Sequence, residues 1–168
     1  MNKTLLSNSF RFVFLVLLQV FILCNVNFLG YINPYLYILF VILLPVNLSQ
    51  IKVLFLSFLL GLTVDFFQDS GGVHAAACLV IAYLRPLALR FSFGIAYDHQ
   101  TLKFQTTAFG ERFVYILFMV FIHHLILFSL EIFNLDHILL ILKKTLYSGI
   151  FTILLILFTM ILFRKKAP

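Results

Sequence analysis

GLTVDFFQDSGGVHAAACLVIAYLRP, residues 61–86, joins two long apolar runs through a short polar turn, and the rest of the chain is laid out around it. It holds Asp65 and Asp69, two of the six acidic residues in the sequence. A carboxylate at or just inside a hydrocarbon layer costs about 3 kcal/mol or more, so Asp65 needs a partner or water. Its partner is expected to be His74 or an amide across the helix hairpin. A contact to another protein or to a substrate is the other reading of the same residue. Gly61 lies four residues before Asp65, on the same helical face, where a missing side chain lets another backbone come close. Gly71-Gly72 marks the turn, with Asp69 expected in the loop, either capping the next helix or in water. His74 and the small run Ala75, Ala76, Ala77 then open the next helix with a surface suited to tight packing.

Composition sets the class. The chain has 168 residues, 63% of them hydrophobic and 11% charged, with a mean hydropathy of +1.12. Soluble domains carry roughly 25% charged residues, so this is a bilayer composition. An all-α integral membrane protein with one transmembrane domain over 1–168 is expected, its six spans near 12–29, 35–46, 51–67, 73–89, 113–133 and 146–163, with Ile138 as the alternative start of the last. The 35–46 span is short and ends at Pro45, so tilt, local thinning or burial among neighbours must make up its length. Arg85-Pro86 is expected to kink or end the fourth span. The formal charge of +6 sits at helix ends, where membrane lipid explains it, and no basic soluble surface exists to bind nucleic acid. Cys24 and Cys78 lie in apolar runs and read as packing residues.

Orientation follows from counting cations. With both termini cytoplasmic, the inner side collects Lys3, Arg11, Lys52, Arg85, Arg90, Lys103, Arg112, Arg164, Lys165 and Lys166, and the outer side only Lys143 and Lys144. Asp65, Asp69, Glu131 and Asp136 fall at or near the outer side. The positive-inside rule therefore favours N-in, C-in. The long polar stretch after Arg90, with His99 and Lys103, is the connection most suited to a functional loop. In the fifth span His123 and His124 point about 100° apart, which argues against a shared metal site, whereas His124 and Glu131 share a face. Gln19 is expected to hydrogen-bond a neighbouring helix.

The order GLxxD, Gly-rich turn, G-x-H-A and a helix closing at an arginine, carried here by Gly61, Leu62, Asp65, Gly72, His74, Ala75 and Arg85, resembles MreD, the rod shape-determining membrane protein family of bacteria. HHLILFSLEIF, which includes His124 and Glu131, is similar to the fifth helix of MreD proteins of the Bacteroidetes type. The resemblance implies a non-catalytic scaffold of the cell-wall elongation machinery in the inner (cytoplasmic) membrane. Its implied partners are an MreC-like single-span periplasmic coiled-coil protein, with MreB, RodA and a class B penicillin-binding protein in a complex. It also implies the six-helix fold of energy-coupling-factor S components, so the alternative is a substrate-binding membrane subunit of such a transporter. A third reading is a small polytopic enzyme using His124 and Glu131. Against that, the sequence has no G-x-S-x-G, H-E-x-x-H, Walker or metal-spaced Cys/His motif, so no catalytic residue, cofactor or metal is expected.

Overall fold

The computed structural model describes residues 3–26, 28, 32–98 and 107–163. The expected end of the first span near Leu29, the loop residue Gly30, and His99, Lys103, Arg164, Lys165 and Lys166 lie outside the described residues. The described chain is helical: α1 Lys3–Phe21, α2 Ile38–Ile42, α3 Gln50–Gln68, α4 Val73–Phe93, α5 Ile95–Asp98, α6 Phe109–Ile132 and α7 Ile138–Leu162, with 3-10 turns at Leu23–Asn25 and Leu135–His137. Among the described residues, five helices are long and apolar enough to cross a membrane: α1 with its following turn, α3, α4, α6 and α7. Leucine, isoleucine and phenylalanine runs take this form because a helix satisfies its own backbone where lipid offers no partner.

The 35–46 stretch is where the structure departs most from a row of helices. Only Ile38–Ile42 is helical, and the chain on either side is turn or extended. Pro34 and Pro45 bracket it; proline lacks an N–H and holds the preceding residue in extended geometry. Residues Tyr35 to Ile42 are all buried, so the segment is the centre of the core and not a lipid-facing span. Its course is fixed by side chains. Tyr37 meets His74 on α4 and His123 on α6, whereas further on Leu44 meets Arg85 and Ile42 meets Tyr115. The segment thus runs with α4 and against α6. Phe12 packs on Phe40 and Gln19 reaches Pro34, so α1 also runs against it. Gln19 bonds a carbonyl of this segment, not a helix.

Helix ends also shift. α1 starts at Lys3, before Arg11, whose guanidinium bonds Asn8 one turn back. α7 starts at Ile138 and takes Lys143 and Lys144 into its second turn, where Lys144 pairs with Glu131 of α6 at 2.8 Å. α4 does not end at Pro86 but continues to Phe93. Pro86 cannot donate to the carbonyl of Ala82 four residues back. Gln50, the first residue of α3, donates its side-chain amide to that carbonyl at 2.9 Å instead.

Candidate functional site

The α3–α4 hairpin is the tightest junction of the bundle. A Cβ built on Gly61 would stand 2.5 Å from the Ala75 Cα and from the His74 carbonyl oxygen, so only glycine admits this approach of α4. One turn on, the buried Asp65 carboxylate, 5% exposed, accepts from the backbone N–H of His74 at 3.0 Å and of Ala75 at 2.8 Å, and from the Ser70 hydroxyl at 2.5 Å. Asp65 therefore caps α4 from the neighbouring helix. The α4 N-cap position itself is Gly72, which has no side chain to do so. An anion at a helix N-terminus satisfies orphan N–H groups and opposes the helix dipole. Of the two expected partners the structure thus has amides across the hairpin, the backbone N–H groups of His74 and Ala75, with Ser70 besides; the His74 ring is turned elsewhere. Asp69 takes a left-handed conformation at the end of α3, is exposed, and caps nothing across the turn. Gly71 and Gly72 follow at φ +68° and +94°, where a side chain would be strained.

The His74 ring is engaged elsewhere. Its Nδ1 lies 2.8 Å from the Tyr37 hydroxyl, and that hydroxyl lies 2.8 Å from His123 Nε2. His123 Nδ1 is buried without a partner. A bare acceptor is cheaper to bury than an orphan donor, which assigns the proton to His123 Nε2, donating to Tyr37, while Tyr37 O–H donates to His74 Nδ1. His124 lies 2.8 Å by Nδ1 from the Val120 carbonyl and 3.1 Å by Nε2 from Thr152 Oγ1. Thr152 in turn accepts the Tyr35 N–H, and Ser148, one turn before it on α7, accepts the Asn33 N–H. The two adjacent histidines do diverge in their hydrogen bonds. They nonetheless flank one ring: Tyr35 lies 6.3 Å from His123, 5.3 Å from His124 and 5.6 Å from His74.

Glu131, expected on the face of His124, is exposed and salt-bridged to Lys144, whose ammonium also sits 5.2 Å from the Phe128 ring centroid. Arg85 is at the opposite end of the bundle from Asp65, buried beneath the 43–49 turn. The sites named in the sequence thus separate into four places: the Asp65 hairpin with His74, His124 between Thr152 and the Tyr35 ring, the α6–α7 ion pair with Glu131, and Arg85. Tyr35, Tyr37, Ser148 and Thr152 belong to the polar core and were not singled out in the sequence. The available signal was a pair of tyrosines inside an apolar run, since a buried phenol needs a hydrogen-bond partner. Among the described residues, no group of three His, Cys, Asp or Glu side chains is placed to hold a metal ion.

Five long apolar helices, four of them meeting the polar groups of a half-extended buried segment with their side chains, define a multi-pass α-helical membrane protein. Comparison of the chain with protein-family models, with curated proteins and with solved structures finds no match.

Proposed function

We propose that the chain is a non-catalytic membrane scaffold of the kind its resemblance to MreD implies, acting in the inner membrane through its helix flanks and short loops. The observation that carries this reading is the inward closure of the residues behind the resemblance. Gly61 is spent on helix contact, both oxygens of Asp65 are filled by the α4 N-terminus and Ser70, and the His74 ring is tied to Tyr37. Groups so fully engaged shape a rigid helix hairpin and leave no reactive atom on offer. The partners in this reading are an MreC-like single-span coiled-coil protein and, through it, MreB, RodA and a class B penicillin-binding protein.

The 33–45 segment is, in the same reading, the sixth crossing, which places both chain ends on one face. A helical stretch of twelve residues covers only about 18 Å, against roughly 30 Å of hydrocarbon. Extended residues rise about 3.3 Å each, so leaving the helix lengthens the reach. The exposed amides and carbonyls that result are tolerated because Gln19, Ser148, Thr152, Tyr115 and Arg85 meet them and protein shields them from lipid. This packing is the support for a six-crossing layout; the relation to the S-component fold rests on the resemblance alone.

The test is purification of the full chain from its native membrane in a mild detergent. Co-purification of a single-span coiled-coil protein is the expected result. Recovery of an ATPase partner with a tightly held small molecule would instead establish the transporter reading and overturn the scaffold.

A further inference from the structure

Arg85 is 3% exposed, yet it meets no carboxylate among the described residues; Lys144 pairs with Glu131 at the other end. Its Nη2 donates to the Leu44 carbonyl, its guanidinium meets the Tyr115 hydroxyl, and its Nε is buried with no acceptor. A buried cation whose only partners are neutral is costly, and removal of that cost calls for an anion.

The surroundings say which end of the bundle this is and what else is there. Gln50, the first residue of α3, bonds the Ala82 and Tyr83 carbonyls, so Arg85 stands level with the 43–49 turn that leads into α3. The α3 N-terminus at Ser49 has no side-chain cap, and exposed Lys52 lies in its first turn. On α6, Arg112 stands one turn before Tyr115 and also has a buried Nε without a partner. The α6 N-cap, Ala108, likewise provides no side-chain cap. Exposed apolar side chains flank these cations: Ile51 and Phe55 near Lys52, Phe109 and Val114 near Arg112.

We infer that Arg85 binds the phosphate of an anionic phospholipid from the leaflet at that end, with Arg112 and the first turn of α3 as further donors. The planar guanidinium fork matches phosphate oxygens, and an anion at the unmet Nε, with the Leu44 bond kept, turns an unbalanced charge into a charge-assisted pair. The uncapped α3 N-terminus, with no acidic residue in its first turn, favours negative charge at the same place, whereas α6 already carries Glu111 in its own first turn. The flanking apolar side chains suit acyl chains, which a free phosphate would not engage. This site is independent of the scaffold reading.

The experiment follows thermal unfolding of the delipidated full chain in a neutral detergent. Phosphatidylglycerol, phosphatidylcholine and inorganic phosphate are added in separate arms. Phosphatidylglycerol is expected to raise the midpoint, with phosphatidylcholine and inorganic phosphate leaving it near its starting value. Arg85→Gln should need about tenfold more phosphatidylglycerol for the same shift, the loss of one charge-assisted hydrogen bond, whereas Lys143→Gln at the other end should respond like the parent. A shift from inorganic phosphate equal to that from phosphatidylglycerol would overturn the lipid as the source. An equal response of Arg85→Gln and the parent would overturn the site. Should Arg85→Gln not fold, Arg112→Gln is read by native mass spectrometry: less retained phosphatidylglycerol than the parent supports the site, and equal retention overturns it.

Discussion

Asp65 and Gly61 sit one turn apart on α3 and make opposite demands on α4: one requires contact, the other requires charge. Asp65→Ala removes the acceptor of two buried backbone N–H groups and of the half-buried Ser70 hydroxyl and should lower stability by about 2–6 kcal/mol, since each buried donor left unmet costs about 1–3 kcal/mol. Asp65→Asn keeps one carbonyl oxygen and should cost less than half of that. Gly61→Ala forces two backbones apart and should cost about 1–3 kcal/mol. Thermal unfolding of the three variants in detergent checks the order, and an Asp65→Ala protein as stable as the parent would remove the capping role. Tyr37→Phe should cost about 2–3 kcal/mol because it strands His74 Nδ1 and His123 Nε2 together. Measured against His123→Leu in a double-mutant cycle, the two losses should not add. Asp65 and Gly61 were legible in the sequence because they act within one hairpin, where spacing on a helix fixes the face. The tie from Tyr37 to His74 and His123 joins residues 37 and 86 positions apart, and no local pattern carries it. Of the two partners expected for Asp65, His74 or an amide across the hairpin, the structure has the amides, and they are the backbone donors that a helix N-terminus always presents.

At the scale of the element, α4 shows how a proline is kept inside a membrane helix. Pro86 frees the Ala82 carbonyl and Gln50 takes it. Gln50→Leu should therefore destabilise by about 1 kcal/mol in the parent. In a Pro86→Ala background, where the backbone N–H returns, it should cost far less. Equal costs in the two backgrounds would separate Gln50 from the proline. The long elements were readable from hydropathy because an apolar run of helical length in this composition has one structural outcome. Their ends were not. For α7 the sequence offers two starts, Leu146 or as early as Ile138, and the helix takes the earlier one, with Lys144 finding Glu131 across the hairpin. The 35–46 stretch was visibly too short to span as a helix. Its half-extended form was hidden because an unbroken apolar run has no periodicity to distinguish helix from strand-like chain.

For the whole molecule, α1, α3, α4, α6 and α7 enclose a segment that would be unstable in lipid by itself, and the polar core exists to hold that segment. Gln19, Ser148, Thr152, Tyr115 and Arg85, together with the Tyr37 bridge, reach it from every long helix but α3. Loss of any one should loosen the segment more than it loosens the helices, since the helices keep their internal backbone bonds. If the segment passes through the bilayer, the end of α1 and the turn before α3 lie on opposite faces; if it folds back, they lie on the same face. The direct measurement is labelling by a membrane-impermeant maleimide in sealed, oriented vesicles. It uses single cysteines at Asn25→Cys and Asn47→Cys, in a chain carrying Cys24→Ala and Cys78→Ala. Labelling of the two positions from opposite faces is the predicted result, and labelling of both from one face would contradict the account.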